Sequence, residues 1–466
     1  MTHKFTKFTL KSCILFLLFV VHSKTFSQDS YTLYFMQNVP QSSNMNPSFI
    51  PNVKYYVGFP LLSMWNVGFE NNAFSYHDLI HKRSDDSLVI DQTNVIDGLS
   101  KKNLLSLEIN DEILSFGFHI GKKNWVQLGF NQHFIATYSY TSDFMKLILK
   151  GNAQFIGQTA ELGGNAINAT LYHDIGLSFA RKINDKISAG VRVKYLIGAA
   201  NIYTETSDVN LTTEQSSFAL TGTSDILLHT SYPNMDTFST SFYGKNQGWA
   251  FDLGGQYRLN DKFSFSASVV DLFGYIKWKE NPRTFKSEKP NSSFTFEGFD
   301  IDSLVRNGQF QNDYLNSFLD SLGNTFNVIE TNSSYTSRIN TKLYLAGFYN
   351  LTTKDLFGIM LRNEFIKNTF KPSLTVSYNR NFGKNFGVAI TYSIHNHTYT
   401  NFGLGMNASL GPFQLYICAD NVYGLIKPLD TRKFNVVFGI NLVFGKDHIN
   451  KAKIRKDPPL FDTMLL

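Results

Sequence analysis

Cysteine is almost missing from this chain: 466 residues contain two, Cys13 and Cys418. Cys13 falls within a leading apolar stretch with the marks of an export signal, so the mature chain keeps one thiol. That excludes an intrachain disulfide, a Cys-rich scaffold and a thiolate zinc cluster. Charge is also sparse, 17% of residues against about a quarter in ordinary soluble domains, which argues against disorder and coiled coils. Beyond the N-terminus no apolar run comes near the ~18 residues a membrane helix needs, so a helical bundle is excluded. No Gly-x-Ser-x-Gly elbow, phosphate-binding loop or dinucleotide fingerprint occurs. No face gathers Lys and Arg as a nucleic-acid footprint would. The chain therefore reads as non-enzymatic and without cofactors, although a barrel lipase with Ser and His on adjacent strands would leave no linear signature.

What is abundant is aromatic: 43 Phe, 23 Tyr and 4 Trp make up 15% of the chain, a bias toward half-buried strands. Lys4, Lys7 and Lys11 precede the apolar stretch Cys13 to Val21, followed by Thr25, Ser27 and Gln28, the order of a cleaved secretory signal. The expected mature start is Gln28. Removing residues 1–27 takes away four lysines and no acid, leaving 39 basic against 37 acidic residues and a net charge of +2 instead of +6. The basic balance belongs largely to the signal.

From residue 113 the sequence repeatedly alternates apolar with small or polar residues over 9 to 13 positions. About ten residues at ~3.3 Å, tilted near ~40°, cover ~25 Å, the height of a membrane's apolar band. Phe386, Val388, Ile390, Tyr392 and Ile394 share one face, while Gly387, Ala389, Thr391, Ser393 and His395 share the other. Phe434, Val436, Phe438, Ile440, Leu442 and Phe444 repeat the pattern. A soluble sandwich alternates too, but here the apolar face is uniformly large. The opposite face is Gly, Ser, Ala and Asn with occasional charges, Arg192, Lys194, Asp252, Arg362 and Glu364. A charge on the lipid face at mid-bilayer would cost roughly 2–4 kcal/mol, so these belong inside. Arg380 shares a face with Leu374, Val376 and Tyr378 but stands beside a turn, where that penalty vanishes.

About fourteen crossings are expected, near 54–69, 112–121, 124–140, 171–182, 186–201, 248–259, 262–272, 341–351, 355–367, 371–381, 385–395, 398–409, 413–421 and 433–444. Every second connection is tight: Gly121 to Asn124, Ile183 to Asp185, Asn260 to Asp261, Thr352 to Lys354, Phe382 to Lys384, and Gly411 to Pro412. These read as periplasmic turns. The long connections 70–111, 141–170, 202–247 and 273–340 all fall on the other parity and so outside. Two tight turns nearly repeat, Ile183-Asn184-Asp185-Lys186-Ile187-Ser188 and Leu259-Asn260-Asp261-Lys262-Phe263-Ser264, with Asn and Asp where a hairpin needs positive φ. Trp125 and Tyr257 near the inner turns, with Trp249 and Trp278 near the outer ends, fit interfacial girdles.

The mature start, Tyr34-Phe35-Met36, Pro40-Gln41-Ser42 and Asn46-Pro47-Ser48-Phe49-Ile50-Pro51, resembles the opening of a Bacteroidota outer-membrane barrel family known only as a domain of unknown function. Asp85-Asp86-Ser87-Leu88-Val89-Ile90-Asp91, the Asn-Asp-Lys hairpin at 184–186, and Asp271-Leu272-Phe273-Gly274 with Ile276-Lys277-Trp278 extend the resemblance over nearly the whole mature chain. More distantly it resembles fatty-acid-transporter-type fourteen-strand barrels and the PorP/SprF-like barrels of type-nine secretion, where Ala is usual at the place of Ser48. The resemblance implies fold and location, and no activity.

His77-Asp78-Leu79-Ile80-His81 sets two imidazoles one helical turn apart, as in a zinc protease, but with Asp78 in the place of its Glu. A solvated loop is the favoured reading, as it is for His395 and His397. Segment 28–53, with the candidate motif Asn46, Pro47, Phe49 and Pro51, has two readings, a plug folded into the lumen or a periplasmic lead-in. The expected lumen face is small and mostly uncharged, which leaves room for a plug. Leu315, Phe318, Leu319, Leu322 and Phe326 recur at helical spacing in the longest outer loop. Asp271, Gly274 and Lys277 are echoed by Asp420, Gly424 and Lys427, as a strand-exit turn or as halves of an outer ligand mouth; the turn is favoured. The tail 445–466, basic through Lys446, Lys451, Lys453, Arg455 and Lys456, is either a periplasmic docking segment or a frayed end.

The sequence thus predicts an all-β fold, a transmembrane antiparallel β-barrel of about 14 strands spanning 54–444 with a plug-like N-terminal segment and long outer loops, set in outer-membrane lipid. Its function is expected to be passage or holding of a hydrophobic or amphipathic small molecule. The alternative is a scaffold barrel docking envelope or type-nine secretion proteins through its tail and outer loops.

Overall fold

The computed structural model describes residues 31–232, 244–288, 292–296, 305–306, 309–310, 328–366, 369–383, 385–395 and 398–446. The expected export signal 1–27, the helix expected around Leu315 to Phe326, His397 and the tail from 447 onward lie outside the described residues.

Strands form where side chains alternate between two environments. Along Asp355–Ile366, Phe357, Ile359, Leu361 and Phe365 are between 44% and 50% exposed, while Gly358, Met360, Arg362 and Glu364 are buried. Fourteen such strands close into one antiparallel barrel. They are β1 (Tyr55–Gly58, resumed as Met64–Asn71), β2 (Lys102–Ile120), β3 (Asn124–Thr141), β4 (Ala166–Lys182), β5 (Ile187–Thr213), β6 (Gln247–Arg258) and β7 (Phe263–Trp278). The circuit continues through β8 (Thr341–Asn350), β9 (Asp355–Ile366), β10 (Thr369–Phe382), β11 (Phe386–His395), β12 (Thr398–Leu410), β13 (Phe413–Ala419) and β14 (Lys433–Phe444). Closure pairs Tyr55 with Phe444 and Glu70 with Lys433. Closing the sheet removes the edges that would otherwise expose unpaired backbone groups.

The two rims differ as the connection lengths predict. At the short-turn rim Gly121, Gly383 and Gly411 take φ of 67°, 73° and 61°, a region L side chains avoid. In the twin turns, Asn184 Oδ1 accepts the amides of Lys186 and Ile187, and Asn260 Oδ1 those of Lys262 and Phe263. At the other rim the sheet outruns the expected crossings. β5 alone has 27 residues, well over twice the ~10 tilted residues that cover a ~25 Å apolar band. Its far half pairs with Leu220–Ser231, which in turn pairs with Pro282–Ser287 and Ser292–Phe296. The connections 202–247 and 273–340, expected as loops, therefore carry sheet. The reason is that backbone pairing continues above the apolar band after large outward residues have given way to Thr204, Thr206 and Asp208, so the alternation fades before the strand does.

Trp249 and Tyr257 face outward, each 43% exposed, as a girdle requires, whereas the girdle expectation fails for Trp125 and Trp278, which are 1% and 0% exposed. Both lie on lumen-facing parity. Trp125 stacks on Tyr56 with ring centroids 6.0 Å apart, and Trp278 Nε1 donates to Ser337 Oγ at 2.8 Å.

Residues 31–53 occupy the interior of the barrel. The helix Tyr31–Phe35 buries two faces against opposite walls. Tyr31, Tyr34 and Phe35, joined by Phe49, pack on Val270, Tyr344, Phe348 and Met360, while Leu33, Met36 and Val39 pack on Ala389, Tyr416, Cys418 and Val437. A barrel with an outward apolar face thus also has a small apolar core, and the N-terminal segment supplies seven of the seventeen buried residues in these two clusters. Each fully buried Phe, Leu or Met there contributes roughly 1.5–3 kcal/mol.

Candidate functional site

The interior segment is held at three levels. At the top, Asp420 follows directly after β13 and is 1% exposed. Its carboxylate accepts from Tyr31 N (2.9 Å), Thr32 N (2.8 Å) and Thr32 Oγ1 (2.7 Å). Two buried cations cover the same helix: Lys433 Nζ lies 4.4 Å from the Tyr31 ring centre, and the Arg362 guanidinium 5.7 Å from both Tyr31 and Tyr344. Desolvated cation–ring contacts of this kind contribute up to about 2 kcal/mol.

Further down the lumen, Gln41 and Asn441 exchange side-chain amide hydrogen bonds, each 2.8 Å. Glu112, 1% exposed, accepts from Gln41 Nε2 (2.9 Å), Asn44 Nδ2 (2.9 Å) and Ser63 Oγ. Buried carboxylates persist only when donors replace water, and the interior segment supplies two of these three.

At the short-turn end lie all four residues of the Asn46, Pro47, Phe49, Pro51 motif. Asn46 Oδ1 accepts from Ser48 N (3.0 Å) and Ser48 Oγ (2.6 Å), closing a tight turn. This turn presses on the wall where glycine stands: a Cβ on Gly190 would fall 2.2 Å from the Pro47 carbonyl oxygen, and one on Gly254 2.2 Å from Asn46 Oδ1. Phe49 meets Tyr34 edge-on at 5.1 Å, and Pro51 O is 3.1 Å from His119 Nε2.

Between this segment and the walls formed by β1 to β5, β7 to β9 and β14 lies a cavity of about 120 Å³. Leu33 and Met45 line it from the segment, Tyr172 and Ile339 from the wall, and charged groups complete it. Lys194 Nζ bridges Asp271 Oδ1 (2.7 Å) and Asp252 Oδ2 (3.0 Å); His133 Nε2 meets Asp174 Oδ2 (2.6 Å); Lys342 Nζ lies 3.7 Å from Glu108. The expectation of a small, mostly uncharged lumen face is corrected here. Arg192, Lys194, Asp252, Arg362 and Glu364 do point inward, but so do Glu108, Glu112, Asp174, Asp271, Lys342 and Lys433. Opposite charges meet in three ways: on adjacent strands in Lys194–Asp252 and His133–Asp174, two residues apart on one strand in Arg362–Glu364, and across the lumen in Lys342–Glu108.

The echoed motif is not one mouth. Asp271 to Gly274 is neither a strand exit nor a rim element: it lies inside β7, at a bulge where Asp271 and Phe273 take φ of 59° and 55° and the register against β6 shifts. The bulge turns Asp271 toward Lys194, while Lys277 is exposed. Asp420, by contrast, is followed by a true exit: Asn421 caps the helix Val422–Ile426, with Gly424 buried and Lys427 3.8 Å from Asp430. Similar residues serve unlike backbones because only one of them is hydrogen-bonded on both sides.

His77 and His81 do not share a helix. The Ser75–Asp78 capping box closes a helix of four residues, Tyr76–Leu79, and His81 stands on the strand Ile80–Lys82 that follows. His77 pairs with Asp430 and His81 with Asp91. Thr32, Gln41, Glu112, His133 and Asp174 were not picked out as site residues by sequence reasoning. For the strand residues, lumen-facing parity with a polar side chain was the available signal.

A closed fourteen-strand barrel with an apolar exterior and a lumen occupied by its own N-terminal segment defines the class, a transmembrane β-barrel. The chain belongs to the family of unknown function DUF5723, whose model matches residues 47–420. No curated protein matches it significantly. Among solved structures it is similar to a Pseudomonas aeruginosa FadL homologue (9% identity, TM-score 0.45, 91% of this chain and 100% of that one). It is also similar to the Pseudomonas putida toluene transporter TodX (8%, 0.39, 90% and 93%) and the Ralstonia pickettii toluene transporter TbuX (10%, 0.33, 87% and 94%).

Proposed function

We propose that this protein is a non-catalytic outer-membrane barrel that holds an amphipathic small molecule beside its interior segment and passes it when that segment shifts. The supporting observation is the mixed lining of the cavity, which combines Leu33, Met45 and Ile339 with the Lys194–Asp271 and Lys342–Glu108 pairs. A wholly apolar guest would cover those charges without replacing their hydration, and a wholly ionic one would waste the apolar lining. A molecule with one ionised end and a short apolar body satisfies both. The cavity's size sets the second half of the reading. About 120 Å³ is less than the ~150 Å³ of a protein cavity that holds one benzene, so a larger guest requires displacement of residues 31–53.

The test is equilibrium binding of octanoate and of octanol to the purified barrel, with Lys342→Met beside the unaltered chain. Octanoate is expected to bind more tightly than octanol and to lose that advantage in Lys342→Met. Equal affinity for the two probes, or an unchanged preference in the variant, sinks the reading.

A further inference from the structure

The outward face of β5 to β10 carries a groove of about 720 Å³ near the short-turn rim. Its walls are Tyr257, Phe265, Leu345, Ile359, Leu361 and Leu374, and its floor is the backbone at Ala189, Gly255, Ala267 and Gly347. Nothing within the protein requires those glycines. Neither takes a positive φ. A Cβ on Gly255 would meet no atom closer than Ser188 O at 4.0 Å, and one on Gly347 only ordinary contacts from 3.6 Å. Glycine in a strand weakens it by loss of packing and by backbone entropy, so an unfilled glycine floor marks space kept for something outside the chain.

The rim below the groove is built three times in the same way. In the turns before β5, β7 and β9, the side chain of Asn184, Asn260 or Thr352 accepts the amide of Lys186 (2.8 Å), Lys262 (2.9 Å) or Lys354 (3.1 Å). The carbonyl of each lysine then accepts from the adjoining strand: Arg258 N to Lys186 (2.7 Å), Asn350 N to Lys262 (2.8 Å), Asn381 N to Lys354 (3.0 Å). Both ends of each lysine's backbone are pinned, and all three side chains are exposed at the same rim. The acids of these turns are Asp185, Asp261, engaged by Arg258 at 2.9 Å, and Asp355, engaged by Arg380 at 3.0 Å. With Asp261 and Asp355 each engaged by an arginine, the three exposed lysines outnumber the remaining turn acid, Asp185, and the turns are net positive. Lys262 precedes Phe265 of the groove wall by three residues, about 10 Å along a strand.

We propose that this groove and its lysine rim form a binding site for an anionic phospholipid, with an acyl chain lying over Gly255 and Gly347 and the phosphate among Lys186, Lys262 and Lys354. The site rests on the membrane-barrel reading and is independent of what the lumen carries. Charge complementarity selects the occupant: an apolar slot bounded by exposed cations suits a lipid whose head is negative.

Native mass spectrometry of the folded full-length barrel, released from detergent with phosphatidylglycerol or phosphatidylcholine of identical chains, tests this. Heat-modifiable gel mobility verifies the barrel separately, so failure of the lipid site is distinguishable from failure of the fold. Phosphatidylglycerol is expected to stay bound at collision energies that strip phosphatidylcholine. Each of K186Q, K262Q and K354Q is expected to weaken it roughly fivefold, as about 1 kcal/mol per lysine at an anionic surface implies. Gly255→Phe, whose ring enters open space, is expected to abolish retention with the barrel intact. Equal retention of the two lipids, full retention in a folded Gly255→Phe barrel, or a dimer that this variant abolishes would overturn the assignment.

Discussion

Asp420→Asn isolates the hold of the barrel on its interior segment. The substitution keeps the side chain's shape and replaces one carboxylate oxygen by an amide NH₂, so at least one of Tyr31 N (2.9 Å) and Thr32 N (2.8 Å) faces a donor instead of an acceptor. The remaining bonds lose their charge assistance. Hydrogen bonds to a charged group contribute about 1.5–3 kcal/mol each, and an orphaned buried donor about 1–3 kcal/mol. The expected loss for seating residues 31–36 is therefore about 3–4 kcal/mol, or two to three orders of magnitude in the local opening equilibrium at ~1.36 kcal/mol per decade. Hydrogen exchange read by mass spectrometry should show it. A peptide covering 31–36 is expected to exchange roughly 100- to 1000-fold faster in Asp420→Asn, while a β11 peptide within 386–395 is unchanged. Unchanged protection at 31–36, with the variant barrel folded, refutes the claim that Asp420 seats the segment.

Gly190→Val places side-chain atoms where the Pro47 carbonyl oxygen already lies 2.2 Å from a bare Cβ; residues 46–49 should be driven off the wall and conductance should appear in planar bilayers, and a silent variant would contradict this. Lys194→Met leaves Asp252 and Asp271 facing each other in a buried site, and removing one partner of such a cluster is expected to destabilise by about 3–5 kcal/mol, read as a lower unfolding temperature by gel mobility. Gln41→Leu removes both halves of the exchange with Asn441 and one donor to Glu112; protease access to residues 38–46 should rise, and unchanged access would count against the mid-level clamp. The segment 76–97 carries the pH dependence. Burial tends to raise the Asp78 carboxyl, but hydrogen bonds from Ser75 and the nearby Arg432 hold it below the ordinary range, and the Asn94 amide does the same for Asp91. A depressed folded value contributes stability that is present above the ordinary ~3.9 and is lost as pH falls through the folded value. Exchange in 76–97, corrected for intrinsic chemistry, is expected to increase below about pH 4 while the barrel strands stay protected.

The approximate positions of the crossings, the lumen-facing parity of Arg192 and Lys194, and the separation of short turns from long connections were legible in the sequence. Alternation and turn chemistry are local properties, set by which solvent each face meets and by what Gly, Asn and Asp allow. The direction of Trp125 and Trp278 was legible by the same parity, although aromatic content alone pointed to a girdle. The upper half of β5 was not legible, because paired backbone in water needs no apolar signature.

The amino-acid order therefore determined that this chain forms a barrel and which face of each strand looks inward, since those follow from neighbours two positions apart. Only the tertiary structure decided that Tyr31 ends against Asp420, 389 residues away, and that Lys194 lies between Asp252 and Asp271. It alone placed residues 31–53 within the lumen. Partners this far apart in sequence meet only after the sheet closes, and the closed cylinder, which excludes bulk water from its interior, requires each buried charge to find the partner it did not have in the linear chain.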